Sequence, residues 1–227
     1  MTEVQSMQQN CGLIRKFDIG INIEKLQKEL KNFIPKIEEI GWWEGFTGRT
    51  DHQTQIAIHG KVGSNNPYHQ SCGPQADLAK DVSTNPLTED SFDTINDLFK
   101  NSYFEKTINL FPIPVTRVRI LRIKSKRSYR LHRDMTYKFH LPIITNPSNL
   151  FIFPEQRHRV IMHLPADGTI YYVDTSETHT FINGSKEDRY HMVFTSTLEK
   201  DTVLNHFNNE ISLEQDSYPS LDSGTWK

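Results

Sequence analysis

Cysteine is scarce in this chain: two residues among 227, Cys11 and Cys72, far apart and without the paired spacing of a zinc site or a redox-active dithiol. That excludes a disulfide-stapled scaffold and a zinc finger, and it fits free thiols in a reducing cytosol. Long apolar runs are absent as well. No stretch approaches the ~20 consecutive apolar residues that span a bilayer, and Met1-Thr2-Glu3-Val4-Gln5 lacks a basic segment followed by an apolar core. A cytoplasmic protein with no membrane partner is expected. Nor does one sign of charge dominate, because a formal net charge of −2 provides no global attraction to nucleic acid or anionic lipid. The local exception runs from Arg117 to Arg133, with eight Lys/Arg and no acid. One reading is a solvated strand face with one or two arginines turned inward; the sharper one is an anion-attracting wall. Tyr129 is the only aromatic in that stretch, which argues against a nucleic-acid substrate stacked on it.

What the chain does contain is enough apolar material, 36% hydrophobic and 11% aromatic residues, for one domain with its own core. Three stretches differ in character. Residues 1–112 read as an N-terminal α/β extension packed on a β core. Within it, Ile23, Leu26, Leu30 and Phe33 behind a possible Asn22 cap predict a helix over 22–34 that ends before Pro35. Residues 53–59 alternate as a half-buried strand, 60–90 have the Gly/Pro/Asn-rich composition of a covering loop, and 88–101 return to helical spacing. Residues 113–197 hold eight short β-rich runs, at 115–124, 129–132, 137–145, 150–153, 159–164, 169–173, 179–182 and 190–197, separated by turn residues. Eight such runs predict a mainly β fold with flanking helices, a double-stranded β-helix or cupin-like jelly roll with one open mouth. Residues 198–227, with six acids against two lysines, read as a partly disordered acidic tail.

The chemistry is carried by His132-Arg133-Asp134, a lone His179, and Arg189 ten residues beyond it. Alternate side chains of an extended segment share a face, so His132 and Asp134 project together while Arg133 turns away. With His179 from a second strand they make two imidazoles and one carboxylate, the facial set that leaves three open positions on non-haem Fe(II). Open positions admit O2, and a guanidinium at Arg189 is suited to a dicarboxylate, which points to 2-oxoglutarate as cosubstrate. His140 and His191 point inward with these groups if Leu141 and Tyr190 face the other way, and either then becomes a donor to the cosubstrate carboxylate. The triplet also occurs in protein kinases, but the Asn required five residues after the Asp is Phe139 here.

These residues resemble the aspartyl/asparaginyl β-hydroxylase-like branch of the Fe(II)/2-oxoglutarate oxygenases. The resemblance covers roughly residues 113–197, and its most specific part is His179, Asn183 and Arg189 at their spacings, with His132-x-Asp134 and the run Tyr137-Lys138-Phe139-His140-Leu141-Pro142 upstream. It implies His132, Asp134 and His179 as iron ligands, and Arg189, His140, Lys138, Asn183 and His191 as residues around the cosubstrate. Asn183 is equally readable as a turn residue before Gly184. Lys138 stands where protein-directed members have an arginine, and the retained Asp134 looks more like the free-amino-acid hydroxylases of the group. The implied activity is hydroxylation of an amino acid, free (such as proline) or an Asp/Asn side chain in a peptide, with release of succinate and CO2. Two other readings stay open on the residues alone. One is a cupin-like metal isomerase or lyase that does not use O2, and the other is a non-catalytic β-sandwich that binds a partner.

Overall fold

The computed structural model describes residues 13–44, 53–73, 88–154 and 160–206. Strands β1 (Ile14–Phe17), β2 (Gln53–Ala57), β3 (His59–Gly60) and β4 (Thr94–Ile95) precede the β-rich region. Seven of the eight runs expected there form strands, and a short strand, β6, lies just ahead of the run expected over 129–132: β5 (Val115–Ile123), β6 (Arg127–Ser128), β7 (Lys138–Ile144), β8 (Asn149–Phe153), β9 (Val160–His163), β10 (Ile170–Val173), β11 (Thr180–Asn183) and β12 (Arg189–Ser196). They make a six-stranded sheet in the order β1-β10-β7-β12-β5-β2 and a four-stranded sheet in the order β6-β11-β8-β9. All described pairings in these two sheets are antiparallel. This is the double-stranded β-helix that the alternation predicts. The edges of the larger sheet, β1 and β2, come from before residue 113.

A period of two divides the larger sheet into unlike faces. On one, Val118, Ile120, Phe139, Leu141, Ile143, Ile170, Tyr172, Met192 and Phe194 form a core with Leu26, Leu30 and Ile37 of helix α1 (Ile23–Ile40) and Phe104 and Ile108 of α2 (Tyr103–Leu110). On the other, Ile123, Tyr171 and Val173 meet Phe151, Phe153 and Phe181 of the smaller sheet. A short helix, α3 (Lys200–His206), adds Val203 to the first core. Among the described residues no helix is long and apolar enough to cross a membrane.

Several expectations need correcting. Helix α1 begins as predicted, with Asn22 Oδ1 accepting from Lys25 N–H at 2.9 Å, but it continues through Pro35 to Ile40. Proline removes one helical hydrogen bond. Burial of Ile37 beyond it, and the bonds that Glu38 accepts from Trp42 Nε1 and Arg122 Nη1, hold the last turns to the sheet regardless. The helix expected over 88–101 is two 3-10 turns, Glu89–Ser91 and Asp97–Phe99, flanking β4. Asn96 prevents continuity there, because its main-chain N–H goes to Ile58 and its side chain to the Ala57 and Pro67 carbonyls. The helix in this region starts later, behind the Ser102 cap. Of the proposed covering loop, residues 60–73 are pinned to the sheet by Arg117, which donates to the Ser71 and Gly73 carbonyls, while 74–87 lie outside the described residues. Cys72 is a free, buried thiol whose burial pushes it up to about 12. Cys11 and the end of the acidic tail, 207–227, also fall outside the described residues.

Candidate active site

His132 and Asp134 sit on an extended segment that is not part of a ladder, which corrects the expected strand over 129–132. The segment touches the smaller sheet at one bridge, His132 opposite His179, where each N–H donates to the other's carbonyl at 3.0 and 2.9 Å. Asp134 N–H is tied to the Thr175 carbonyl at 2.8 Å. One bridge is enough to bring the ring centroids of His132 and His179 to 4.3 Å, with ligand atoms of all three residues within 4.8 Å of one another.

The hydrogen bonds of the two imidazoles select their tautomers. Nδ1 of His132 lies 2.8 Å from the Arg130 carbonyl, and Nδ1 of His179 lies 2.9 Å from the Glu177 carbonyl. A carbonyl only accepts, so each Nδ1 carries the proton and each Nε2 keeps its lone pair. Burial, with the neighbouring His132 ring acting the same way, holds the His179 pKa below its ordinary value and so keeps the ring neutral. Two imidazole nitrogens and a carboxylate are the donor set that suits a divalent transition metal with open positions. The spacing is wider than the ~3 Å between neighbouring ligands of a metal bound at ~2.1 Å. His132 and Asp134, 4.0 Å apart and only about two-thirds buried, are the side chains with room to draw in.

The inner face of the larger sheet supplies the other half of the site. Leu141 and Tyr190 do belong to the helix-side core, which leaves His140 and His191 pointing inward. Arg189 is 2% exposed, with its guanidinium 3.7 Å from the centre of the Phe181 ring and 5.8 Å from that of Phe151. Among the described residues it has no acidic partner, and burial drives its pKa well below the usual arginine range. Its Nη2 donates to His191 Nδ1, so neutral His191 carries its proton on Nε2, which is buried without a partner. Arg189 Nε and both ring nitrogens of His140 are likewise buried and unpaired. Burial, then the charge of Arg189, keeps His140 neutral. Orphaned donors in a protein interior are costly. Their gathering around the buried Arg189 guanidinium describes a wall suited to an anion.

Not every candidate joins this wall. Lys138 donates to Glu89 Oε1 at 2.8 Å, and Arg117 donates to the same oxygen at 2.7 Å. Asn183 spends its amide on the Ile123, Lys124 and Glu187 carbonyls, and its oxygen on the N–H and hydroxyl of Ser185. It closes the turn before β12 and has no hydrogen-bonding capacity left. Sequence reasoning passed over Tyr129, stacked on His132 with ring centroids 5.3 Å apart. Burial, then Asp134, keeps its phenol protonated, while Arg119 and Arg189 pull the other way. It also passed over Glu89, whose partners lie 28 and 49 residues away. No local pattern announces either residue.

No protein-family model matches the chain, and no curated protein is similar to it in sequence. Solved structures are similar in fold. A prolyl hydroxylase from Trichoplax adhaerens, in complex with a hypoxia inducible factor oxygen degradation domain peptide fragment, is 10% identical over 83% of this chain and 85% of that one, with a TM-score of 0.48. A Pseudomonas putida prolyl-4-hydroxylase is 7% identical over 83% and 95%, with a TM-score of 0.46. An oxidoreductase of the 2OG-Fe(II) oxygenase family from Burkholderia pseudomallei is 12% identical over 83% and 86%, with a TM-score of 0.45. None of these neighbours points to the aspartyl/asparaginyl β-hydroxylase branch that the motif resembles. With identities of 12% or less and TM-scores below 0.5, the chemistry has to come from this chain's own side chains.

Proposed function

We propose that the chain is an Fe(II)- and 2-oxoglutarate-dependent dioxygenase that hydroxylates an amino acid, free or within a peptide, with release of succinate and CO2. One observation carries the reading: a cluster of three metal-type donors and a buried guanidinium without an acid among the described residues lie around the same ring, Phe151, with the His179 centroid 6.5 Å and the Arg189 guanidinium 5.8 Å from its centre. His132, Asp134 and His179 would hold Fe(II) on one face and leave the other for ligands. Iron, 2-oxoglutarate and O2 together supply the oxidising chemistry when bound. The chain supplies placement. The carbonyls of Arg130 and Glu177 hold the Nδ1–H of both imidazoles and so aim their Nε2 atoms. Arg189, oriented by the face of Phe181, would take the distal carboxylate of 2-oxoglutarate, with His191 Nε2 and one nitrogen of His140 as further donors. Phe151, Phe153 and Phe181 exclude water from the space between. Lys138 and Asn183 are assigned to the scaffold, because Glu89 and the turn already use their polar groups.

Fe(II) followed by 2-oxoglutarate, added without oxygen, should produce the visible charge-transfer band of a chelated keto acid. His179→Ala should abolish the band, and Arg189→Ala should raise the 2-oxoglutarate needed by on the order of 100-fold. Iron retention by the wild type with no band would reject the cosubstrate and favour a metal isomerase or lyase, for which Arg189 has no task.

A further inference from the structure

The inner wall carries more positive charge than the cosubstrate consumes. Arg117, Arg119, Lys138 and Arg189 are all buried on it or at its rim. The one buried acid among them, Glu89, is shared by Arg117 and Lys138. Four cations against one acid leave an excess of three, of which a dicarboxylate would offset two. A divalent metal on the single carboxylate of Asp134 adds one back. Buried charge without a counter-charge is expensive, so a second anion belongs in this cavity.

Arg119 is the residue placed to receive it. It is 4% exposed, its Nη1 donates to Gln55 Oε1 at 2.9 Å and reaches the Gly73 carbonyl at 3.5 Å, and its Nε is buried with no partner. Among the described residues no carboxylate pairs with it. Strand register locates it. Arg119 stands opposite Val193, and Val193 stands opposite His140, so Arg119 and His140 share one row of the inner face two strands apart, about 10 Å. Arg189 lies four residues along β12 from Val193, about 13 Å. The two guanidiniums lie against different groups, Gln55 and Gly73 for Arg119 and Phe181 and His191 for Arg189, yet the charges of both, and of Asp134, reach the Tyr129 phenol beside His132. His132, Asp134, Arg189 and Arg119 thus have Tyr129 as a common neighbour.

We propose that the primary substrate is a small carboxylic acid, bound as the free molecule, whose carboxylate Arg119 holds while Arg189 holds the cosubstrate. The inference rests on the oxygenase reading above. A free acid fits better than a peptide residue because Arg119 is 4% exposed and its guanidinium is closed in by Gln55 and Gly73. A peptide main chain carried that far would have to bury its own polar groups unpaired.

The test is calorimetric binding to protein loaded with Mn(II), which permits no turnover. The probes are 2-oxoglutarate, the L-amino acids and simple mono- and dicarboxylic acids, each acid beside its own carboxamide. At least one acid should bind, with its carboxamide weaker by about 30-fold or more. Arg119→Gln should weaken the acid by a similar factor and Arg119→Lys by less, with 2-oxoglutarate held within about twofold in both. Binding of no acid, equal binding of acid and carboxamide, or a loss of 2-oxoglutarate affinity in Arg119→Gln equal to that of the acid would overturn the proposal. The acid and carboxamide comparison needs only wild-type protein, so it decides even where Arg119→Gln does not fold. Failure of the wild type to bind 2-oxoglutarate would sink the oxygenase reading, whereas a carboxylate preference that vanishes in Arg119→Gln would still uphold Arg119 as an anion anchor.

Discussion

Phe139 and His140 are neighbours on β7 and occupy opposite environments. Phe139 is fully buried on the helix side, ringed by Phe17, Phe111, Tyr137, Tyr172 and Phe194 with centroids 4.9–6.1 Å away. His140 is 5% exposed on the inner side, in edge contact with Phe151 and His191, and neither of its nitrogens has a partner. The same division runs along β12, where Tyr190, Met192 and Phe194 face the helices and Arg189 and His191 face the cavity. One face gains stability from burying apolar surface. The other gives some of it up by burying polar groups without partners. Because the pleat separates the faces, stability and binding can be changed independently on adjacent residues.

The largest effect should come from the helix side. Phe139→Ala should lower stability by about 4 kcal/mol in urea unfolding, with 2-oxoglutarate affinity unchanged in the protein that remains folded. An equal loss of affinity would mean that the faces are not separable.

The Glu89 cluster should come next, since it joins the faces at the rim. Burial would raise the Glu89 carboxyl, but Lys138 and Arg117 bring it down to about 2, against 4.5 in an unperturbed glutamate. A depressed acid contributes stability that is present above its unfolded pKa and lost as pH falls through its folded one. The wild type should therefore lose stability between pH of about 4.5 and about 2. Burial also pulls Arg117 down to about 10 and lowers Lys138, so the cluster as a whole contributes less than Glu89 alone suggests. Glu89→Gln leaves two buried cations uncompensated and should cost about 3 kcal/mol at neutral pH. Its acid limb should be flatter than that of the wild type in parallel melts, and an unchanged limb would remove Glu89 from the linkage.

The smallest stability change should be at His140. His140→Leu removes two unpaired buried nitrogens and should leave stability equal or higher by about 1 kcal/mol, while weakening 2-oxoglutarate several-fold. A destabilisation as large as that of Phe139→Ala would show that His140 is a packing residue.

Much of this division is legible before any coordinates. The alternation of Phe139, Leu141 and Ile143 with Lys138, His140 and Pro142 is a strand with two unlike faces, and His132-x-Asp134 with a distant His179 is a metal-type donor set. The failures have physical causes. Pro35 marks a helix end by local rule, but Ile37 and Glu38 beyond it are anchored to the sheet. Residues 88–101 carry helical spacing, but Asn96 is captured by carbonyls of a segment some thirty residues away. Arg117, Arg119 and Arg122 are all buried, more than the one or two inward arginines expected of the basic run. Their partners Glu89, Gln55 and Glu38 are distant in sequence.

By itself, then, the sequence determined what depends on neighbours along the chain: strand periodicity, the Asn22 cap, and the identities of the donors and of Arg189. Only the tertiary structure decided what depends on partners across it. It set which nitrogen of His132 and of His179 is bonded to a main-chain carbonyl. It committed Lys138 to Glu89 and Asn183 to a turn, and it left Arg119 and Arg189 buried without acids among the described residues. A residue's type limits the bonds it can make, whereas the cost of leaving them unmade depends on what folding places beside it.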